Sequence, residues 1–367
     1  MKLFKKILII CFLVLVLTPQ YGYSCTAFCL DQDNQLLVGK NYDWNFADGL
    51  VIVNKRNVSK TAATNDNPVS WISKYGSVTF NQYGRELPNG GMNEAGLVVE
   101  VLWLSVTEYP SPDQRPSLGS QQWIQYQLDN FSSVAEVIAA NQEIRITPSS
   151  DVKVHYFVAD SSGACAAIEF LAGKLVYHTG ATMPIRAITN NTYAESMEFA
   201  KRFEGFGGNL PIGPRDRSVD PWSGSGSLDR FLYAANMLDK YDSNKSEPAV
   251  DYMFDILRAV DSGERTQWSM VYNIKQLKIY FKTVSSTKLK YVDLSDFDWA
   301  CESPVLVLDI NTNESTDVSA KFKPYSQKIN RRLLEKSFAK TGFLNNISPE
   351  ALNQISAYPD RSVCVKK

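Results

Sequence analysis

Apolar and polar positions alternate early in the chain. Thr26 to Leu30 and Gln35 to Lys40 read as two strands joined by the turn Asp31-Gln32-Asp33-Asn34, and Leu50 to Asn54 reads as a third. Asn57 to Asn67 is polar and is expected to be a surface loop. Ser77 to Asn81 and Gly96 to Leu104 continue the strand pattern, the second almost wholly apolar and so expected to be buried on both faces. The spacing then turns helical over Ser120 to Asn130 and Val134 to Ala140. A meander follows: Val154 to Ala159, Ala164 to Phe170 and Leu175 to Thr179. Asp229 to Tyr241 and Pro248 to Val260 are predicted helices, the latter with Ser246 and Glu247 as start signals. Trp268 to Ile274 with Lys278 to Thr283 is a further hairpin, and Asn330 to Phe338 is amphipathic. Antiparallel strands with helices grouped between them imply an α+β chain, read as a four-layer αββα sandwich of mainly antiparallel sheets.

One segment stands apart from this pattern. Lys2, Lys5 and Lys6 precede an unbroken apolar run from Ile7 to Leu17, and Gly22 and Ser24 give a small-x-small site before Cys25. This is the form of a secretory signal peptide spanning residues 1–24, with 25–367 as a single domain of the exported protein, periplasmic or extracellular. The apolar run is too short to remain as a membrane span. Lipidation of Cys25 is the competing reading. It normally calls for Leu three residues before the cysteine, where this chain has Gly22-Tyr23-Ser24.

Composition adds mostly exclusions. In 367 residues, 38 basic and 39 acidic side chains are evenly mixed, so no basic footprint for nucleic acid is present. With Cys11 lost in the signal, Cys25, Cys29, Cys165, Cys301 and Cys364 remain, an odd number that leaves at least one thiol free. Cys301 and Cys364 could pair, although sequence does not fix connectivity.

The chemistry must be run with little histidine. His155 and His178 alternate with apolar residues and read as structural. There is no G-x-S-x-G elbow, no H-E-x-x-H or C-x-x-C, and no Gly-rich phosphate loop, so no metal or organic cofactor is expected. An N-terminal cysteine supplies both nucleophile and base. Its α-amine (pKa about 7.7–8.0) and thiol (about 8.5) are closely enough matched for the amine to take the thiol proton and later return it. Cleavage after Ser24 would free that amine.

Cys25-Thr26 with Gly39-Lys40-Asn41-Tyr42-Asp43-Trp44 resembles the start of the choloylglycine hydrolase family, which includes bile salt hydrolases and penicillin V acylases. Gly91-Met92-Asn93-Glu94-Ala95-Gly96-Leu97, Ile188-Thr189-Asn190 and Ser227-Leu228-Asp229-Arg230-Phe231 follow in order, and the likeness runs to about Trp299. The resemblance implies hydrolysis of linear, non-peptide amides through a thioester, on substrates such as conjugated bile salts, penicillin V or N-acyl homoserine lactones. It implies Cys25 as nucleophile and base, and Asp43 as acceptor for the Cys25 amine. Asn190, with the N–H of Trp103, would be the oxyanion donor, and Arg230 would stand beside the thiol. Lys40 replaces the family's usual arginine and loses its planar fork of donors. Trp103 and Trp44 would give an apolar substrate pocket, unless both are simply core. Homotetramers are also implied by resemblance. The reading from another class is a non-catalytic exported lipoprotein or binding protein.

Overall fold

The structure, a computed structural model, describes residues 24–147, 152–220, 223–244, 248–342 and 344–365. The expected signal segment, up to Tyr23, and the start signals Ser246 and Glu247 lie outside the described residues. No helix among the described residues is long and apolar enough to cross a membrane.

Two sheets form the inner layers. The first has seven strands, with β1 (Cys25–Gln32) and β2 (Gln35–Asp43) near one side and Thr266–Asn273 beside β2. The second has nine, with β3 (Gly90–Asn93) and β4 (Val98–Trp103) at its centre. Alternation decides what each strand offers. Cys25 lies opposite Tyr42, Ala27 opposite Lys40, and Met270 opposite Lys40 from the other side, so these side chains share one face. That face meets the second sheet across a core that includes Val38, Met92, Phe157 and Trp268. The opposite face of β1 and β2 carries Phe28, whose ring lies directly over Gly39. A Cβ on Gly39 would come within 2.6 Å of that ring, so the glycine permits the packing.

Helices cover the outer faces. α1 (Ser120–Asn130) packs on β3 and β4, while α2 (Gly224–Asp239) and α3 (Ala249–Ala259) pack against β1 and β2. The result is an α+β sandwich with the layer order αββα.

The differences from expectation have local causes. β3 was not foreseen because Gly90 and Gly91 hide strand propensity. They are there for space: a Cβ on Gly90 would meet the Glu100 carboxylate at 2.3 Å. The β3–β4 turn is closed by Gly96 at φ +85° and by Asn93, whose Oδ1 accepts the N–H groups of Ala95 and Leu97. The Asn93 amide donates to the carbonyls of Leu128 and Phe131, tying the turn to the end of α1. The polar stretch 57–67 contains a strand, Val58–Thr61, that pairs with Ser70–Ile72 and with Val363–Cys364. A pairing partner from the far end of the chain supplies the order that local sequence lacks.

After the strands come α4 (Gln327–Lys340), capped by Ser326, and α5 (Pro349–Ala357), capped by Ser348. The end of the chain is bound back by the disulfide Cys301–Cys364, while Cys25, Cys29 and Cys165 are free. Closing a loop of 63 residues limits the unfolded chain by about 4 kcal/mol. Replacing both Cys301 and Cys364 by serine should therefore lower the thermal midpoint by about 5 °C, read by scanning calorimetry.

Candidate active site

Cys25 opens β1 and is buried. Its peptide nitrogen donates to Asn190 Oδ1 at 2.7 Å. The same oxygen accepts Arg230 Nη2 at 2.7 Å, and Asn190 Nδ2 donates to the Trp103 carbonyl at 2.8 Å. One side chain thus joins the start of β1, the end of β4 and α2. The position of Asn190 is itself fixed. Its backbone N–H donates to Ser227 Oγ at 2.8 Å, and Ser227 Oγ lies 3.0 Å from Thr189 Oγ1. Behind it, His155 Nε2 is 2.7 Å from the Thr189 carbonyl, and His155 Nδ1 is 3.3 Å from Glu169. The ring thus bridges the Thr189 carbonyl and the Glu169 carboxyl group, which also accepts the Tyr193 N–H at 2.8 Å.

Asp43 ends β2 and is buried. Its carboxylate accepts Thr266 Oγ1 at 2.6 Å and Ser262 Oγ at 2.8 Å. The resemblance implied that Asp43 would accept from the Cys25 amine; with Ser24 attached, Asn190 takes that nitrogen's N–H. The reason is valence. With Ser24 attached, that nitrogen is a peptide N–H with one proton, and Ser24 itself sits by Asp43, its Oγ 2.8 Å from Ser262 Oγ. Burial raises the Asp43 carboxyl above its ordinary range, while the Arg230 charge and the three hydroxyls of Thr266, Ser262 and Ser24 pull it down.

Arg230 is wholly buried. Burial lowers its guanidinium to about 10, against the pull of Asp43, so it stays charged at neutral pH. Its Nε donates to Thr26 Oγ1 at 3.2 Å. Lys40 is equally buried and crosses between the sheets. Its Nζ donates to the Val101 carbonyl at 2.5 Å and lies 3.9 Å from the Glu100 carboxylate. Glu100 also accepts the Tyr272 hydroxyl. Burial pushes Glu100 up to about 7, opposed by Lys40 and by Tyr272. The Cys25 thiol is raised by burial, opposed first by the charge of Lys40 and then by the Asp43 N–H and Arg230. The lysine therefore acts on the thiol through its charge and not through a fork of donors.

Cys25 faces a cavity of about 340 Å³. Trp44 and Trp103 both line it, with Tyr42, Tyr83 and Val101. All seven residues singled out in the sequence thus lie in one region: Cys25, Lys40, Asp43, Asn190 and Arg230 at the thiol, and the two tryptophans in the wall. Sequence reasoning read His155 as structural and quoted Thr189 and Ser227 within motifs without giving them a role; it missed the supports Glu169, Ser262, Thr266, Glu100 and Tyr272. Of these five, Glu100 left a signal, as a charge within an apolar strand.

A family model described as linear amide C–N hydrolases, choloylglycine hydrolase family, matches residues 25–307. A curated penicillin V acylase from Pectobacterium atrosepticum is 27% identical, covering 84% of this chain and 93% of its own. The solved penicillin V acylase from Agrobacterium tumefaciens is 27% identical with a TM-score of 0.70, covering 82% of this chain and 98% of its own. A variant of the conjugated bile acid hydrolase from Clostridium perfringens shares the fold, with a TM-score of 0.61 at 20% identity, covering 80% and 98%.

Two outcomes test this geometry. His155→Phe leaves the Thr189 carbonyl without its ring partner and Glu169 with only the Tyr193 N–H, and should cost about 2 kcal/mol of stability in urea unfolding; His155→Gln, which keeps a donor toward Thr189, should cost less. The second concerns pH. The folded chain holds the Glu100 proton more tightly than the unfolded chain does. The stability this gives is full below the ordinary value of 4.5 and is lost as pH rises through about 7. Glu100→Gln does not ionise, so its stability relative to wild type should rise by up to about 3 kcal/mol from about pH 4.5 to above about 7, in the same assay.

Proposed function

Because the chain belongs to the choloylglycine hydrolase family of linear amide C–N hydrolases, we propose that it cleaves amides of compact, apolar acyl groups with Cys25 as an N-terminal nucleophile. The observation that carries this is that Cys25 lines an apolar cavity, with Asn190 on its nitrogen, Arg230 on the same Asn190 oxygen, and the Asp43 carboxylate held by Ser262 and Thr266 at the end of the adjoining strand.

Cleavage after Ser24 during export turns the Cys25 nitrogen into an amine and removes the side chain beside Asp43. The amine then takes the thiol proton as Cys25 Sγ bonds to the substrate carbonyl carbon. The charges of Lys40 and Arg230 favour the thiolate. The oxyanion that develops accepts from Asn190, whose Nδ2 carries two protons, one already directed at the Trp103 carbonyl. Collapse breaks the C–N bond, and the leaving nitrogen carries off the proton from the Cys25 amine. Water, deprotonated by the same amine, attacks the thioester, releasing a carboxylate and the free thiol.

The cavity favours some substrates over others. A volume of about 340 Å³ lies near the lower end of the ~300–1,000 Å³ common for small-molecule sites. It suits an aryl or medium-length alkyl acyl group, such as the phenoxyacetyl of penicillin V or the chain of an N-acyl homoserine lactone, and is small for a four-ring steroid. Trp44, Trp103, Tyr42 and Tyr83 supply flat apolar surface for such a group.

The test is amine release from penicillin V, glycocholate and an N-acyl homoserine lactone, using protein that begins at Cys25. The first or third should be cleaved and glycocholate much less. Protein retaining Ser24 should be slower by about 10³-fold, since its nitrogen is not a base. Asn190→Ala should lower kcat by about 10²- to 10³-fold with a smaller change in KM. Equal rates with and without Ser24 would exclude the amine as base.

A further inference from the structure

The family model ends at residue 307, but the cavity at Cys25 is closed by residues well beyond it. Phe338 on α4, Leu344 and Ile347 after it, Ile355 on α5, and Tyr358 all face the same space as Trp44 and Trp103.

This segment is tied down at both ends. At its start, Ser337 Oγ donates to the Gln82 carbonyl at 2.6 Å, and Thr341 Oγ1 lies 3.1 Å from the Tyr83 hydroxyl. Asn330 links the body to α5: its Oδ1 accepts the Arg85 N–H and its Nδ2 donates to the Ser356 carbonyl. At its end, the Tyr358 hydroxyl accepts Gln122 Nε2 at 2.6 Å and donates to the Thr61 carbonyl at 2.5 Å. The Cys301–Cys364 bridge and the pairing of Val363–Cys364 with Val58–Ser59 complete the anchor.

Between the anchors the character changes. Among the described residues, the hydrogen bonds of 344–355 stay within the C-terminal segment, as from Ile347 N–H to the Leu344 carbonyl and from Leu352 N–H to the Ser348 carbonyl. Leu344, Ile347 and Ile355 meet the body through apolar side chains that are half-buried. A wall without polar groups, on a frame fixed at both ends, discriminates by size alone.

We propose that Leu344, Ile347 and Ile355 set the length of the acyl group that this enzyme accepts. The acyl chain starts at Cys25, runs between Trp44 and Trp103, and ends against this wall. The proposal rests on the amide-hydrolase reading above. Each methylene that gains a contact there is worth about fourfold, and one that collides with the wall forfeits at least as much.

The experiment uses one amine acylated with unbranched chains from butanoyl to dodecanoyl, and compares kcat/KM for wild type, Ile355→Ala and Ile355→Trp. The alanine variant, which removes three carbons from the wall, should move the optimum to chains longer by about two to three methylenes. The tryptophan variant should move it to shorter ones, with loss of at least about tenfold on chains longer than the wild-type optimum. The shortest substrates should change by less than about fourfold in either variant. A common factor across all lengths would overturn the proposal. Should wild type cleave none of the series, the hydrolase reading fails separately. The wall is then judged by calorimetric binding of the free carboxylates to Cys25→Ala, with and without Ile355→Trp. A shortened length profile supports the gauge, and an unchanged one overturns it.

Discussion

Asn190 is where three distant stretches of chain are held in register. Its carbonyl oxygen takes the first N–H of β1 and the guanidinium of α2, and its amide takes the last carbonyl of β4. These stretches belong to opposite sheets and to an outer helix, and this side chain joins all three, with the Arg230 bond to Thr26 as a second tie between the helix and β1. A single amide can do this because it offers acceptor and donor at once in a fixed plane. The demand passes to its neighbour Thr189, whose carbonyl is held by His155 and whose hydroxyl lies against Ser227. A histidine that would look idle by its distance from the thiol is thus part of the support on which the thiol's geometry depends.

The second constraint is charge without water. Lys40, Glu100, Asp43 and Arg230 are all buried. Removing any one partner from such a set is costly, because the charge left behind has lost its solvent. The set shows why a lysine can stand where the family usually has arginine. Its Nζ needs only the Val101 carbonyl and the Glu100 carboxylate, both on β4, and it reaches them as a point charge on a flexible stem. Gly90 completes the arrangement from the neighbouring strand by leaving the room in which the Glu100 carboxylate sits. The glycine, the glutamate and the lysine are one device spread over three strands. The charge it presents to Cys25 offsets part of what burial does to the thiol.

Much of this fold was legible because period-2 alternation is local. β1, the 154–179 meander and the 266–283 hairpin lie within a residue or two of where the pattern put them, and β2 starts where expected but runs three residues further, to Asp43. What failed was what depends on distant partners. Gly90–Asn93 is a strand because its neighbours pair with it and because Glu100 needs the space, and neither fact is written in four residues. Val58–Thr61 is ordered by residues near 363. For the site, the ordered motifs placed residues near the thiol, but the hydroxyls on Asp43 come from Ser262, in an unremarked loop, and from Thr266, at the start of a strand whose pattern only shows from Trp268. The α5 helix is short and only partly apolar, so nothing in it announces a cavity wall.

The proposed chemistry also depends on a change of valence at one atom. In the chain as it stands here, the Cys25 nitrogen has one proton, committed to Asn190, and the Ser24 hydroxyl occupies the ground between Ser262 and Asp43. A freed amine can keep the Asn190 contact and still direct a second proton toward Asp43, where the departed hydroxyl was. That carboxylate, already raised by burial, would then be stabilised by an ammonium in place of a hydroxyl. The exchange runs both ways: the carboxylate holds the amine's proton more firmly, while Arg230 and Lys40 nearby make that proton easier to give up. An amine balanced between these influences can serve as base on attack and as acid on departure. On the proposed mechanism, this amine does the work that a histidine at the thiol would otherwise do.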